Sequence, residues 1–227
     1  MPASRRSIPS PFLGLRRSDA MRPLSIFLDC CRHGSELLED HVLAERWDAP
    51  SALSDWTVGG LAGHFARSVF NLRAAVEMVP PPTAILLSAV DYYTENRPQP
   101  AGSAVGRRIR ELGDLEAAAG PSILARRFGD AINDLELQLA GGELPQAATL
   151  FGAPMPLDEC ATACLLELIV HADDLAVSVD LTMPKFDSAA VELVASTLAC
   201  ISARRYGVTV VRALARPERA PDAISVF

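Results

Sequence analysis

A chain of 227 residues, 49% of them hydrophobic and 22% charged, has the length and apolar content of one globular domain with a substantial core. Its net charge of −7 is unevenly spread: residues 1–23 carry five arginines and one aspartate, net +4, which leaves −11 on the remainder. So acidic a body argues against nucleic-acid binding, and no apolar run reaches the ~18–20 residues of a membrane span without an interrupting charge.

Residues 1–23, rich in Pro, Ser and Arg, read as a disordered basic extension, with Met21 as an alternative start. Arg5 and Arg6 suggest twin-arginine export, but the apolar run and small-residue cleavage site of such a signal are missing. A first amphipathic helix is expected over 24–46, where Phe27, Cys30, Cys31, Leu37, Leu38 and Val42 recur at three and four. Asp55 or Thr57 can cap a second helix that runs to about residue 79, where Pro80, Pro81 and Pro82 stop it.

A short helical or irregular link over 84–96 follows, and then a long helix of mixed charge over 103–140 that Gly120 and Pro121 kink or split. Gly141, Gly142 and Pro145 end it, and 148–156 reads as a loop or small hairpin. The next helix starts near Leu157, with Asp158 placed to favour its N-terminus. A further helix over 188–205 ends at Gly207, and the β-branched run 208–211 suggests a small strand in a tail (206–227) that packs back on the bundle. The fold expected is all-α: a four-helix bundle over 24–205 with an accessory helix.

Within the helix that follows Leu157, the stretch LLELIVHADDLA (165–176) is apolar nearly all round, as a buried helix is. Glu167 and His171 are four residues apart in it, so both side chains lie on one face. A buried ionised carboxylate is costly unless paired or bound to a cation. A structural hydrogen-bonded pair and a pair of metal ligands stand level on this pattern. His64, on the stripe Leu61, His64, Ser68, Leu72 and Ala75, is by itself a core histidine with a satisfied partner, and beside Glu167 and His171 it becomes a third ligand. Asp29 with His33, and His41 with Glu45, have the same spacing on a more polar helix and read as solvated pairs. Cys160 and Cys164 share the stripe of Glu167 and His171 and read as small core residues rather than zinc ligands. The five cysteines form no Cys-x2-Cys pair and no disulfide framework, which suits a reducing cytoplasm.

The run WDAPSALSDWTVGGLAGHFA (47–66), followed about a hundred residues later by LLELIVHADDLA, resembles the metal-binding domain of mycothiol-dependent maleylpyruvate isomerase, one of the DinB/YfiT-like helical bundles. In that family a tryptophan precedes the second helix, a histidine lies within it, and a Glu-x3-His pair followed by Asp-Leu lies in the last bundle helix. Those features fall here on Trp56, His64, Glu167, His171, Asp174 and Leu175. The resemblance implies a divalent ion, zinc in type, on His64, Glu167 and His171, with a fourth position open to water or a thiol. The expected nucleophile is a metal-bound thiol or water, with mycothiol as the thiol cosubstrate. An isomerase of this kind adds the thiolate to an activated double bond, allows rotation about the resulting single bond, and eliminates to the trans product. An S-transferase stops at the thioether or displaces a leaving group.

Asp174 and Arg67 are expected next to the ligands, either with Asp174 orienting a histidine or with the two joined as an ion pair. Arg212 and Arg216 read as a solvated basic face, or as reaching an acidic substrate if the tail folds over the bundle mouth. The chain departs from the isomerase proper, which carries a sizeable C-terminal domain where only a short tail follows Arg205, so maleylpyruvate is not the expected substrate. It also begins the second helix Thr-Val-Gly-Gly where an acidic residue is usual, which is expected to loosen the first turn. The reading is a cytoplasmic, metal-binding S-transferase or cis-trans isomerase acting on a small electrophile, monomeric or homodimeric. Its alternatives are a non-catalytic metal-binding bundle with a structural or regulatory role, and a metal-free bundle in which Glu167 bonds both histidines directly.

Overall fold

The computed structural model describes residues 22–96 and 102–219. The basic extension expected before residue 24 lies outside these residues except for Arg22 and Pro23, which open the first helix. The end of the tail, expected to pack back through Ile224 to Phe227, also lies outside them.

The described residues form α1 (Arg22–Glu39), α2 (His41–Glu45), α3 (Val58–Ala75), α4 (Ala89–Glu95), α5 (Ala104–Ala117) and α6 (Pro121–Gly141). A hairpin of β1 (Ala147–Leu150) and β2 (Ala153–Pro156) then leads into α7 (Leu157–Ser178), followed by α8 (Ser188–Tyr206) and α9 (Val208–Ala215). Helices α1, α3, α6 and α7 make a four-helix bundle: α1 and α3 each lie against both α6 and α7. Helix α5 packs along the outside of α3, while α4 and α9 pack on α8. This is a mainly helical fold, an all-α bundle as expected with one small hairpin added.

The core is filled from all four bundle helices by Phe27, Phe65, Phe128, Leu61, Leu124 and Leu165, all essentially without exposure. Phe65 of α3 stacks on Phe128 of α6 with ring centroids 5.5 Å apart. The long helix expected over 103–140 is split as its sequence suggests. Gly120 takes φ +87°, a conformation that an L side chain resists, and Pro121 starts α6 where its missing N–H costs nothing. In the hairpin, Ala147 pairs with Pro156 and Leu150 with Ala153, and Phe151 and Gly152 both take positive φ, as a two-residue hairpin turn requires. Among the described residues, no helix is long and apolar enough to cross a membrane.

Two expectations are corrected. The helix expected over 24–46 breaks at Asp40, whose carboxylate accepts from the Val42 N–H and starts α2 afresh. The strand expected at 208–211 is instead the first half of α9. Gly207, at φ +59°, turns the chain out of α8, and Arg212, Ala213, Leu214 and Ala215 favour helix. A lone β-branched run with no partner strand has nothing to hydrogen-bond.

Candidate metal centre

The N-terminus of α3 is fixed by the loop before it. The Val58 and Gly59 N–H groups donate to the Ala49 and Trp47 carbonyls at 2.9 and 2.8 Å, and the Gly60 N–H donates to Thr57 Oγ1 at 2.9 Å. Thr57, not Asp55, is the cap. The first turn is therefore well held, and its glycines serve contact. A Cβ at Gly59 would lie 2.6 Å from the Trp47 indole, and one at Gly63 would lie 2.0 Å from the Gly113 carbonyl oxygen of α5. A Cβ at Gly113 would in turn meet the Gly60 carbonyl oxygen at 2.5 Å. Only glycine allows the α3 and α5 backbones to come this close, and the approach sets the height and rotation of His64.

His64 leaves α3 between the Trp56 ring, 5.1 Å away centroid to centroid, and the His171 ring, 4.6 Å away. Glu167 and His171 come from successive turns of α7. Glu167 Oε2 stands 3.3 Å from His171 Nε2 and 3.9 Å from His64 Nε2, and the donor atoms of the three residues all lie within 4.8 Å of one another. Their side chains are 10–20% exposed. On the far side of each α7 ligand is a fixed partner. His171 Nδ1 lies 2.8 Å from Asp174 Oδ2, and the Tyr93 hydroxyl of α4 donates to Glu167 Oε1 at 2.6 Å.

These contacts set the protonation. Burial alone would lower the His171 pKa, but its bonds to Asp174 and Glu167 outweigh that and raise it to about 9. Burial pushes His64 down to about 4, helped by the positive charge on His171. Burial would raise the Glu167 carboxyl, and the His171 bond and charge with the Tyr93 bond hold it low instead. Without a metal these shifts favour His171 as an imidazolium beside the Glu167 carboxylate, and His64 as a neutral imidazole. His64 Nδ1 is buried with no hydrogen-bond partner among the described residues.

The residues fit a divalent ion. Two ligands bonded to zinc at about 2.0–2.1 Å and a tetrahedral angle stand ~3.3 Å apart, the His171–Glu167 separation found here. The His64–Glu167 edge is longer, at 3.9 Å, and too long for a hydrogen bond. This does not match the metal-free alternative in which Glu167 bonds both histidines. With its Nδ1–H donated to Asp174, His171 is left with Nε2 as the ligand atom, the carboxylate–histidine arrangement usual behind a metal ligand.

Other expected residues lie elsewhere. Arg67 turns away from Asp174 to Glu116 of α5, at 3.8 Å, so the Asp174–Arg67 ion pair is replaced by Asp174–His171. Cys160 and Cys164 are buried, their thiols pushed up by burial, Cys160 to about 12. His33 and His41 are 43% and 82% exposed, so both are solvated as expected, but they face Glu36 and Asp40 rather than the expected Asp29 and Glu45, and Asp29 pairs with Arg32. Arg212 and Arg216 are exposed at α9. Tyr93 is the site residue that sequence reasoning missed. It lies in the short link, 74 residues from Glu167, and only the need of a buried carboxylate for a donor pointed to such a group.

The family of mycothiol maleylpyruvate isomerase N-terminal domains matches residues 27–176, more than half of the chain and all of the cluster. The chain belongs to that family. Comparisons with curated proteins and with solved structures give no match. Within this mycothiol maleylpyruvate isomerase N-terminal domain, Tyr93 and the three donors fall inside the matched stretch, whereas α8 and α9 lie beyond it. Family and donor set together suggest metal binding.

Proposed function

We propose that the chain binds a divalent ion, zinc by its donor set, on His64, Glu167 and His171. In this reading it activates a low-molecular-weight thiol, mycothiol by family, toward an electrophilic small molecule as an S-transferase or cis-trans isomerase. The observation that carries the reading is the convergence of two imidazoles and one carboxylate oxygen from two helices, with Asp174 holding the outer nitrogen of His171. A divalent ion there supplies the Lewis acidity that lowers the pKa of a thiol or water at its remaining position.

The chain's own residues do the rest. His171 gives up the Nε2 proton that it holds in the metal-free state, while its Nδ1–H stays on the ring and donates to Asp174, which fixes the ring's orientation. Neutral His64 offers its lone pair without losing a proton. Trp56 packs against the His64 ring at a tilt, which limits the ring's freedom to move. Among the described cysteines none is disulfide-bonded, which supports a reducing cytoplasm as the working compartment.

Elemental analysis of the purified protein tests the reading against His64→Ala and His171→Ala. Near-stoichiometric metal in the wild type, lost in both variants, is the expected result. A wild type without metal, whose zinc affinity is unchanged by either substitution, refutes it. Titration of the loaded protein with a thiol then separates an open site, which responds, from the non-catalytic bundle, which does not.

A further inference from the structure

Glu167 has two oxygens, and the structure gives them different surroundings. Oε2 faces both imidazoles, whereas Oε1 accepts the Tyr93 hydroxyl at 2.6 Å, a short bond to a charged acceptor. Tyr93 is buried, at 8% exposure, and the helix that carries it is clamped from both sides. Glu159 of α7 accepts from the Ala89 N–H at the start of α4, at 2.8 Å. From α8, Arg204 pairs with Asp91 and Arg205 donates to the Tyr93 carbonyl. Ser88 and Asp91 close a reciprocal cap on the first turn. So short a helix would not hold a side chain in place by its own stability, and these four contacts hold it.

We propose that Tyr93 is a positioning residue that makes Glu167 a one-oxygen ligand: by occupying Oε1 it leaves Oε2 alone to face His64 and His171, and so keeps a coordination position free for an external thiol. This rests on the metal site proposed above. Without the hydroxyl, rotation of the carboxylate brings Oε1 to the ion as well, and the second oxygen takes the position that a thiol needs. The ring of Tyr93 fills space in either case, so the hydroxyl alone is responsible.

The test uses the full chain loaded with cobalt(II), whose visible bands are intense at four-coordination and weaken at five. Wild type and Tyr93→Phe are compared by cobalt content, spectrum and titration with 2-mercaptoethanol. Both are expected to bind cobalt. The variant should show weakened bands and a thiol midpoint about tenfold higher, in the range typical for loss of a residue behind a ligand. If spectra and midpoints superimpose while cobalt is bound, Tyr93 only fills space and the proposal falls while the metal site stands. A lower melting temperature with unchanged bands overturns it in the same way. A wild type that takes up no cobalt removes the metal site and the proposal together. Should the variant lose cobalt altogether, a crystal structure of the cobalt-loaded wild type decides: Oε1 on Tyr93 supports the proposal, and both oxygens on cobalt overturn it.

Discussion

Replacing Gly63 with alanine adds one methyl group at the crossing that delivers His64. Its Cβ would stand 2.0 Å from the Gly113 carbonyl oxygen, 2.9 Å from the Gly113 carbonyl carbon and 3.1 Å from the Ala117 nitrogen. All three are backbone atoms inside α5, so no side chain can swing aside. Non-bonded contacts are best at about 3.5 Å, and reaching even a tight separation pushes α5 off α3 by roughly 1 Å. Overpacking of this kind costs about 1–3 kcal/mol, which offsets or exceeds the ~0.5–1 kcal/mol that alanine gains over glycine as a helix former. Gly129, in α6, is the control: nothing lies within 4 Å of its added Cβ, and its φ is not positive. Gly129→Ala should stabilise by about 0.5–1 kcal/mol. Urea unfolding of both variants in a chelator measures the signs. The Gly63 variant should also bind zinc more weakly, since His64 follows Gly63 directly and moves with it. A Gly63→Ala protein stabilised as much as Gly129→Ala would refute the close-approach argument.

Asp174→Asn keeps the shape behind His171 but removes its negative charge, so the imidazole becomes a poorer donor. Zinc affinity, read by competition with a chromophoric chelator, should fall by about 10–100-fold, and an unchanged affinity would refute the orienting role. The metal-free protein should be most stable near pH 6.5. Its His171, raised from the usual 6.5 to about 9, contributes stability below pH 6.5 that is lost as pH rises toward 9. His64, lowered to about 4, contributes stability above pH 6.5 that is lost as pH falls toward 4. Each contribution is on the order of 3 kcal/mol. Urea midpoints at pH 4.5, 6.5 and 8.5 in chelator would contradict this if they rose steadily to the highest pH.

The α7 half of the site was legible because it is local. A carboxylate in an apolar helix must find a partner, and helical spacing puts His171 beside it and Asp174 behind that ring. His64 was legible as a polar residue on an apolar stripe, although the meeting of its stripe with α7 rested on the family resemblance. Tyr93 left no trace of this kind. A tyrosine in a seven-residue helix carries no periodic signal, and its contact with Glu167 depends on where α7 and α8 hold α4. The glycines of α3 were visible but misread. From sequence they weaken a first turn, and only the position of Gly113 shows that they admit a neighbouring backbone. The last helix was misread for a related reason: β-branched residues favour a strand only where another strand is present to pair with.

This division bears on how the site tolerates change. Glu167, His171 and Asp174 are spaced by the rise and turn of a single helix, so their mutual geometry survives small movements of the bundle. His64 arrives from α3, and its 3.9 Å gap to Glu167 is the longer edge of the cluster. Movement of α3 against α5 therefore changes that edge first, while a change on α7 alters the charge and basicity of the donors. Two substitutions can lower metal affinity equally and still be told apart by proton release. Asp174→Asn makes His171 less basic, so fewer protons leave on binding near neutral pH. Gly63→Ala leaves the Asp174–His171–Glu167 contacts in place, and proton release should match the wild type even as affinity falls.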